Sequence, residues 1–167
     1  AGAIVYAQTG NDDINSYREY LQVPLIAPLE PGLSYRVSFR VSLSETASFA
    51  IAPLGAHFST GPVSPPGQNV LPVVPQVVNP ATNLLTSLTA WMLVEGSFIA
   101  AGGEDVLTLG NFLSDAATPA IASTGGDVYT YYYFDDIQVV ADCGAAATGK
   151  TVVCGSPWTF DTPKAVD

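Results

Sequence analysis

Positive charge is scarce in this chain. Among 167 residues there are five Lys and Arg against fifteen Asp and Glu, a net charge of −10. A protein that holds a polyanion neutralises phosphates with basic side chains, so a nucleic-acid partner is excluded by charge. Charge of either sign is low, at 12%, about half the usual share. No charged side chain occurs between Glu45 and Glu95. There is no uninterrupted apolar run of about 18 residues, so no membrane-spanning helix is expected. His57 is the only histidine, and Cys143 and Cys154 are the only cysteines. Zinc therefore lacks soft ligands. No Gly-x-Ser-x-Gly elbow surrounds any serine, so a nucleophile–His57 triad has no local support. Glu19, Glu95, Glu104 and Asp135 could supply a glycosidase pair, but no spacing among them selects two. The chain opens at Ala1 without Met or a signal-type apolar run, which is read as a segment cut from something longer.

Side-chain alternation is abundant, and it sets the fold class. From Leu33, the residues Leu33, Tyr35, Val37, Phe39, Val41 and Leu43 fall on one face. Ser34, Arg36, Ser38, Arg40 and Ser42 fall on the other. Period two is the signature of a half-buried antiparallel strand. Glu30-Pro31-Gly32 before it is a turn. Arg18 to Leu25 reads as another strand, with Pro24 and Pro28 placing it at an edge or ending it early. Met92 to Ile99 alternates again, Gly102-Gly103 turns, and Val106 to Phe112 follows. Tyr129 to Val140 is the longest strand, with Tyr129, Tyr131, Tyr133, Asp135, Ile137 and Val139 assigned to its inner side. Only Ala81 to Ala90 could form a turn or two of helix. Thirteen Pro and fifteen Gly interrupt longer helices. The expected fold is all-β, an antiparallel two-sheet jelly-roll β-sandwich over 1–141, with a short C-terminal extension over 142–167 that begins a further module. The apolar, proline-rich stretch 61–80 is a long loop. It either covers a sheet edge or presents an interaction strip. Cys143 and Cys154 either close a short loop as a disulfide in an oxidising compartment or remain buried thiols.

Several phrases carry a family resemblance. Tyr17-Arg-Glu-Tyr-Leu-Gln-Val-Pro-Leu25, then Leu29-Glu-Pro-Gly-Leu-Ser-Tyr-Arg-Val-Ser-Phe39, resemble the opening of jelly-roll modules in large secreted surface proteins of Bacteroidota-type bacteria, of the kind tied to gliding motility and type 9 secretion. Leu54 to Ser59 and Leu107 to Phe112 fit the same pattern. Tyr133-Phe-Asp-Asp-Ile-Gln-Val139 is similar to the closing strand of galactose-binding-like and carbohydrate-binding-module sandwiches. The resemblance implies a secreted, extracellular β-sandwich that binds sugars or serves adhesion, without catalysis. It implies a structural Ca²⁺ held by Asp135 with Asp12 or Asp13; the residue-level alternative is a carboxylate bonded to backbone N–H groups or paired with Arg18.

A sugar site needs flat aromatic faces and polar groups for hydroxyls. Tyr17, Tyr20, Trp91, Tyr132 and Phe134 are the aromatic candidates. Tyr132 and Phe134 are expected opposite the core, beside Gln138, with Arg36 and Arg40 projecting from the non-core face of their strand. The leading expectation is thus a non-catalytic carbohydrate-recognition or adhesion module whose partner is a glycan or another surface polymer. Its rival is a structural subunit of an extracellular filament or surface layer, joined to neighbouring copies through the 61–80 loop and a C-terminal strand.

Overall fold

The computed structural model describes residues 1–7 (backbone alone for 4–7), 16–65 and 70–142. Ten strands account for nearly half of them: β1 Gly2–Ala7, β2 Leu21–Pro24, β3 Ser34–Leu43, β4 Phe49–Ile51, β5 Leu54–Ser59, β6 Val77–Val78, β7 Met92–Ile99, β8 Val106–Asn111, β9 Ala120–Ala122 and β10 Tyr129–Ala141. The one described helix is a 3₁₀ turn at Asp115–Ala117, and no described helix is long and apolar enough to cross a membrane. Sheet A has the order β1-β10-β3-β7 and sheet B the order β2-β8-β5-β6. The short β4–β9 pair stands apart.

The pairing is nested. β5 pairs with β6, β3 with β7, β2 with β8 and β1 with β10, all antiparallel. One long ribbon with the 60–76 loop at its tip thus folds over itself. The wrap is sealed by β10 beside β3 and β8 beside β5. Successive long strands alternate between sheets, which is the jelly-roll arrangement.

The β3 alternation sets the core. Tyr35, Val37, Phe39, Val41 and Leu43 are all buried. They meet Leu54, Ala56, Phe58, Leu107 and Leu109 of sheet B in one cluster. Phe58 of β5 stacks on Phe98 of β7 at 4.7 Å between ring centroids, across the gap between sheets. Residues 81–90 form turns and bends, not helix. Leu85 is drawn into the core there, its N–H bonded to Ile51 O at 3.0 Å, so tertiary burial overrides the weak helical pattern.

β10 departs from the expected parity. Thr130, Tyr132 and Phe134 are buried, whereas Tyr133 is exposed. The register explains it. Phe134 faces Val41 and Asp135 faces Arg40, but the next partners are Gln138 with Ser38 and Val139 with Val37. One extra residue sits in β10 as a bulge, with Asp136 at φ +48°. Even-numbered residues point inward before it and Val139 and Ala141 pack on the core after it. The odd-numbered inner set holds only beyond the bulge. Tyr132 and Phe134 are therefore core residues, not a platform, and Asp135 is exposed, not inward.

Tyr132 is the polar pin of that core. Its hydroxyl donates to Leu85 O at 2.6 Å and accepts from Ile51 N–H at 3.0 Å, joining β10, β4 and the 81–90 segment. Burial raises its pKa above the ordinary tyrosine value. Tyr132→Phe leaves a buried N–H and carbonyl without this partner and should lower stability by about 1–3 kcal/mol in urea unfolding. The raised pKa also fixes a sign. Above pH ~10 the unfolded chain has lost the tyrosine proton that the folded chain retains, so stability should fall as pH rises there. That decline should be shallower in Tyr132→Phe when unfolding midpoints are followed from pH 8 to 11; equal slopes would refute the assignment.

Candidate functional site

A sandwich has two outer faces, and the 60–76 loop removes one of them. All six residues of β8 are buried, although only alternate ones can face sheet A. Gln22, Thr108 and His57 form a row across the outer side of sheet B. The loop crosses above that row. Gln22 Nε2 donates to Val63 O, Leu71 N–H donates to the Tyr20 hydroxyl at 2.9 Å, and His57 Nδ1 donates to Val74 O at 3.0 Å. Gly55 and Gly110 are paired and bare of Cβ on this side. A Cβ on Gly110 would lie 2.6 Å from the Tyr20 ring, and one on Gly55 would lie 2.8 Å from Val77 O. This glycine trough lets the aromatic ring and the loop lie flat on the sheet.

The loop also ends the edge of sheet B. Pro75 has no N–H, so β6 pairing with β5 stops at Val77. The Gln76 side chain substitutes for the missing backbone. Its Oε1 accepts from Phe58 N–H at 2.8 Å and its Nε2 donates to Phe58 O at 2.9 Å. Leu71 and Val77 point in and are buried, while Val74 is 84% exposed. Residues 61–65 and 70–80 are thus a cover over sheet B and its edge, with an apolar outer ridge at Val74 and Val78. His57 belongs to this cover, held by a carbonyl and lying 6.1 Å from the Phe112 ring.

Among the described residues, no segment crosses the outer face of sheet A. Across β10, β3 and β7 its rows read Asp135–Arg40–Leu93, Gln138–Ser38–Glu95 and Val140–Arg36–Ser97. The row before them begins Tyr133–Ser42, and Trp91 immediately precedes β7, 45% exposed. Tyr131 and Tyr133 meet edge-on at 5.4 Å. Gly2 of β1 makes room for the Tyr131 ring, which a Cβ there would strike.

The bulge supplies the polar centre. Asp136, turned out by its positive φ, takes Arg40 Nε on Oδ2 at 3.3 Å and Gln138 Nε2 on Oδ1 at 2.8 Å. All three side chains are at least partly exposed. An exposed pair of this kind contributes about 1 kcal/mol or less; its effect is to hold the Arg40 fork and the Gln138 amide in fixed positions on the face. Asp135 Oδ1 accepts from Asp136 N–H at 2.9 Å, which is the backbone-bonded alternative for that carboxylate.

Of the residues expected in a site, Arg36, Arg40, Gln138 and Trp91 are exposed or half-exposed on or beside this face, while Tyr132 and Phe134 lie beneath it. Tyr133 and Tyr131 take the aromatic positions that parity had assigned to the core. The missed signal is the Asp135-Asp136 step, two residues that tolerate a bulge better than β-branched ones do. The inward position on which a calcium cage at Asp135 depends is not found. Asp12, Asp13, Cys143 and Cys154 lie outside the described residues. Among the described residues no three His, Cys, Asp or Glu side chains gather as a metal-holding group. Arg18 pairs not with Asp135 but with Asp115, at 2.7 Å with both side chains buried, and it also donates to Tyr17 O and Leu113 O. That pair is a structural tie between the segment entering β2 and the 3₁₀ turn. A depression of about 320 Å³ lies at the far end of the open face, lined by Arg36, Val140, Ala141 and Asp142.

No protein-family model matches the chain, and no curated protein matches its sequence.

The bulge gives a prediction of its own. Asn and Gly tolerate a positive φ, but β-branched residues do not. Asp136→Gly should leave the melting temperature within a few degrees of the parent, whereas Asp136→Val should destabilise by about 1–3 kcal/mol. Equal melting temperatures for the two variants would show that β10 runs without the bulge.

Proposed function

We propose that this domain is a non-catalytic carbohydrate-recognition module that takes its glycan on the outer face of sheet A. The observation that carries the reading is the contrast between the two faces: one is sealed by a loop, and the other is an open sheet with exposed rings beside a fixed polar centre. Tyr133 pairs with Ser42 on one side of β3 and Trp91 precedes the Val41–Met92 pair on the other, about two strand spacings or ~10 Å across, the span of a short oligosaccharide. Their faces suit the apolar sides of pyranose rings. Arg40 and Gln138, held by Asp136, suit sugar hydroxyls. The acid-rich composition disfavours an anionic polymer and favours a neutral glycan. His57 and the Arg18–Asp115 pair are engaged in holding the fold, which supports binding rather than turnover. The resemblance to jelly-roll modules of secreted surface proteins supports a position outside the cell, in a larger adhesive protein.

The assembly reading has an observation of its own, the exposed ridge at Val74 and Val78. It predicts contact by the covered side of the sandwich, not by the open sheet.

A glycan array probed with the parent chain, Tyr133→Ala and Tyr132→Phe separates these. Neutral glycans should be retained by the parent and by Tyr132→Phe. Tyr133→Ala should bind them about tenfold more weakly or worse, a loss of about 1.4 kcal/mol, with its melting temperature little changed. Binding that survives Tyr133→Ala and Trp91→Ala together, or no glycan bound by the parent, would sink the sheet-face reading.

A further inference from the structure

Each sheet of an open sandwich has two edges, and unpaired edges invite another strand. Three of the four edges here carry a feature that discourages it. β2 ends in Pro24. β6 has two residues and is bracketed by Pro75 and Pro80. β1 has a register break between Ile4 and Tyr6. β7 has only the charge of Glu95: its eight residues, Met92–Ile99, run in unbroken register with β3 and without Pro, Lys or bulge.

The hydrogen-bond phase of β7 can be read from its neighbours. Ala100 exchanges bonds with the Gly32–Leu33 backbone, through Ala100 N–H to Leu33 O at 2.9 Å and Gly32 N–H to Ala100 O at 2.9 Å. On the other side of β3, Ser34 bonds to β10 through Asp142 N–H at 2.7 Å. Even-numbered β7 residues therefore spend their backbone groups on β3. Leu93, Glu95, Ser97 and Ile99 direct theirs to the open edge, because alternate residues of an antiparallel strand bond to opposite sides.

We propose that β7 is a homodimerisation edge, pairing antiparallel with β7 of a second copy about a two-fold axis through Gly96. This register pairs the strand from Leu93 to Ile99, since Gly96 is the midpoint of that stretch. Leu93 then bonds with Ile99 of the second copy, and Glu95 with Ser97, each pair made of outward-directed backbone groups. Gly96 meets its own copy in a non-hydrogen-bonded pair, where strands approach most closely. Moving the axis to Glu95 sets two like charges opposite each other, which is destabilising. Moving it to Ser97 places Glu95 against Ile99 and leaves Leu93 without a partner.

The side chains agree with the chosen register. Leu93 is 41% and Ile99 72% exposed on the outer face, and the pairing makes them cross-strand neighbours. Arg36 faces Ser97 within one chain, so Glu95 of one copy and Arg36 of the other lie in one row with only Ser97 between them. The two-fold produces that charge pair twice. The axis is perpendicular to the sheet, so sheet A continues from one copy into the next with both outer faces on the same side. This inference does not depend on what that face binds.

The test is the mass of the full chain in solution by light scattering or sedimentation. The parent should approach twice 17.4 kDa at about 0.1–1 mM, the range of a weak interface. Ser97→Pro removes an N–H that points to the edge, a place where a lone strand tolerates proline; it should give a monomer. Ile99→Lys alters a side chain that is mostly exposed and should do the same, so the test stands even if the proline variant folds poorly. Glu95→Lys should weaken the dimer about tenfold or more, and Arg36→Glu in the same chain should restore it. A parent chain that stays at 17.4 kDa across this range, or a dimer that survives Ile99→Lys, overturns the proposal.

Discussion

The extra residue in β10 is the constraint from which the rest of this architecture follows. Without it, a strand that buries Tyr132 and Phe134 against Val41 and Phe39 would carry Gln138 and Val140 into the core and turn Val139 and Ala141 out to water. With it, one continuous strand keeps Tyr132 and Phe134 inside before the bulge and Val139 and Ala141 against the core after it. The bulge resets parity by a single residue, at the small cost of a left-handed aspartate. It also turns the Asp136 carboxylate outward, where it meets Arg40 and Gln138. Core and candidate site are therefore two results of one backbone irregularity.

The jelly roll has a second organising relation, between the ribbon tip and the face it covers. The 60–76 loop joins the innermost pair of the nest, β5 and β6. Folding back across β5, β8 and β2, it finds a floor made for it by Gly55, Gly110 and the flat Tyr20 ring. An uncharged segment suits that position, since a charge laid on an apolar sheet would be desolvated without compensation. The absence of charge between Glu45 and Glu95 reflects this. The segment runs through the loop, the buried β5 and the 81–90 connection, all of which are packed against protein on at least one side.

Much of the fold could be read in the residues themselves. The β3 alternation needed no tertiary information, because Val37, Phe39 and Val41 sit in an unbroken period-two run. The same holds for β7, and Pro24 and Pro28 mark β2 as a strand that lies at an edge or ends early, which it does at the edge of sheet B. β10 defeated the reading because alternation there is satisfied in either phase by aromatic residues: Tyr131 and Tyr133 look as burial-prone as Tyr132 and Phe134. Only cross-strand register distinguishes the phases, and register is a long-range property. The site suffered accordingly. Arg36, Arg40 and Gln138 were placed outside from strands whose parity was sound or lay beyond the bulge. The outward aromatic rings of β10 stand one residue out of step with its simple alternation. The Gln76 bracket on Phe58 has no sequence signature at all, since a side-chain amide replaces a backbone only where a proline happens to break the pairing beside it.

The nested pairing has a mechanical corollary. Ala1 bonds to Phe134, and β10 leaves toward Ala141 in the direction from which β1 arrives. Tension between the two ends of the described fold would load the β1–β10 ladder from one end, so that its bonds part singly and in order instead of sharing the load. Under such pulling the outermost layer of the ribbon yields first, at low force. The inner pairs β3–β7 and β5–β6, with the loop they carry, remain folded until β10 has been stripped from its other neighbour.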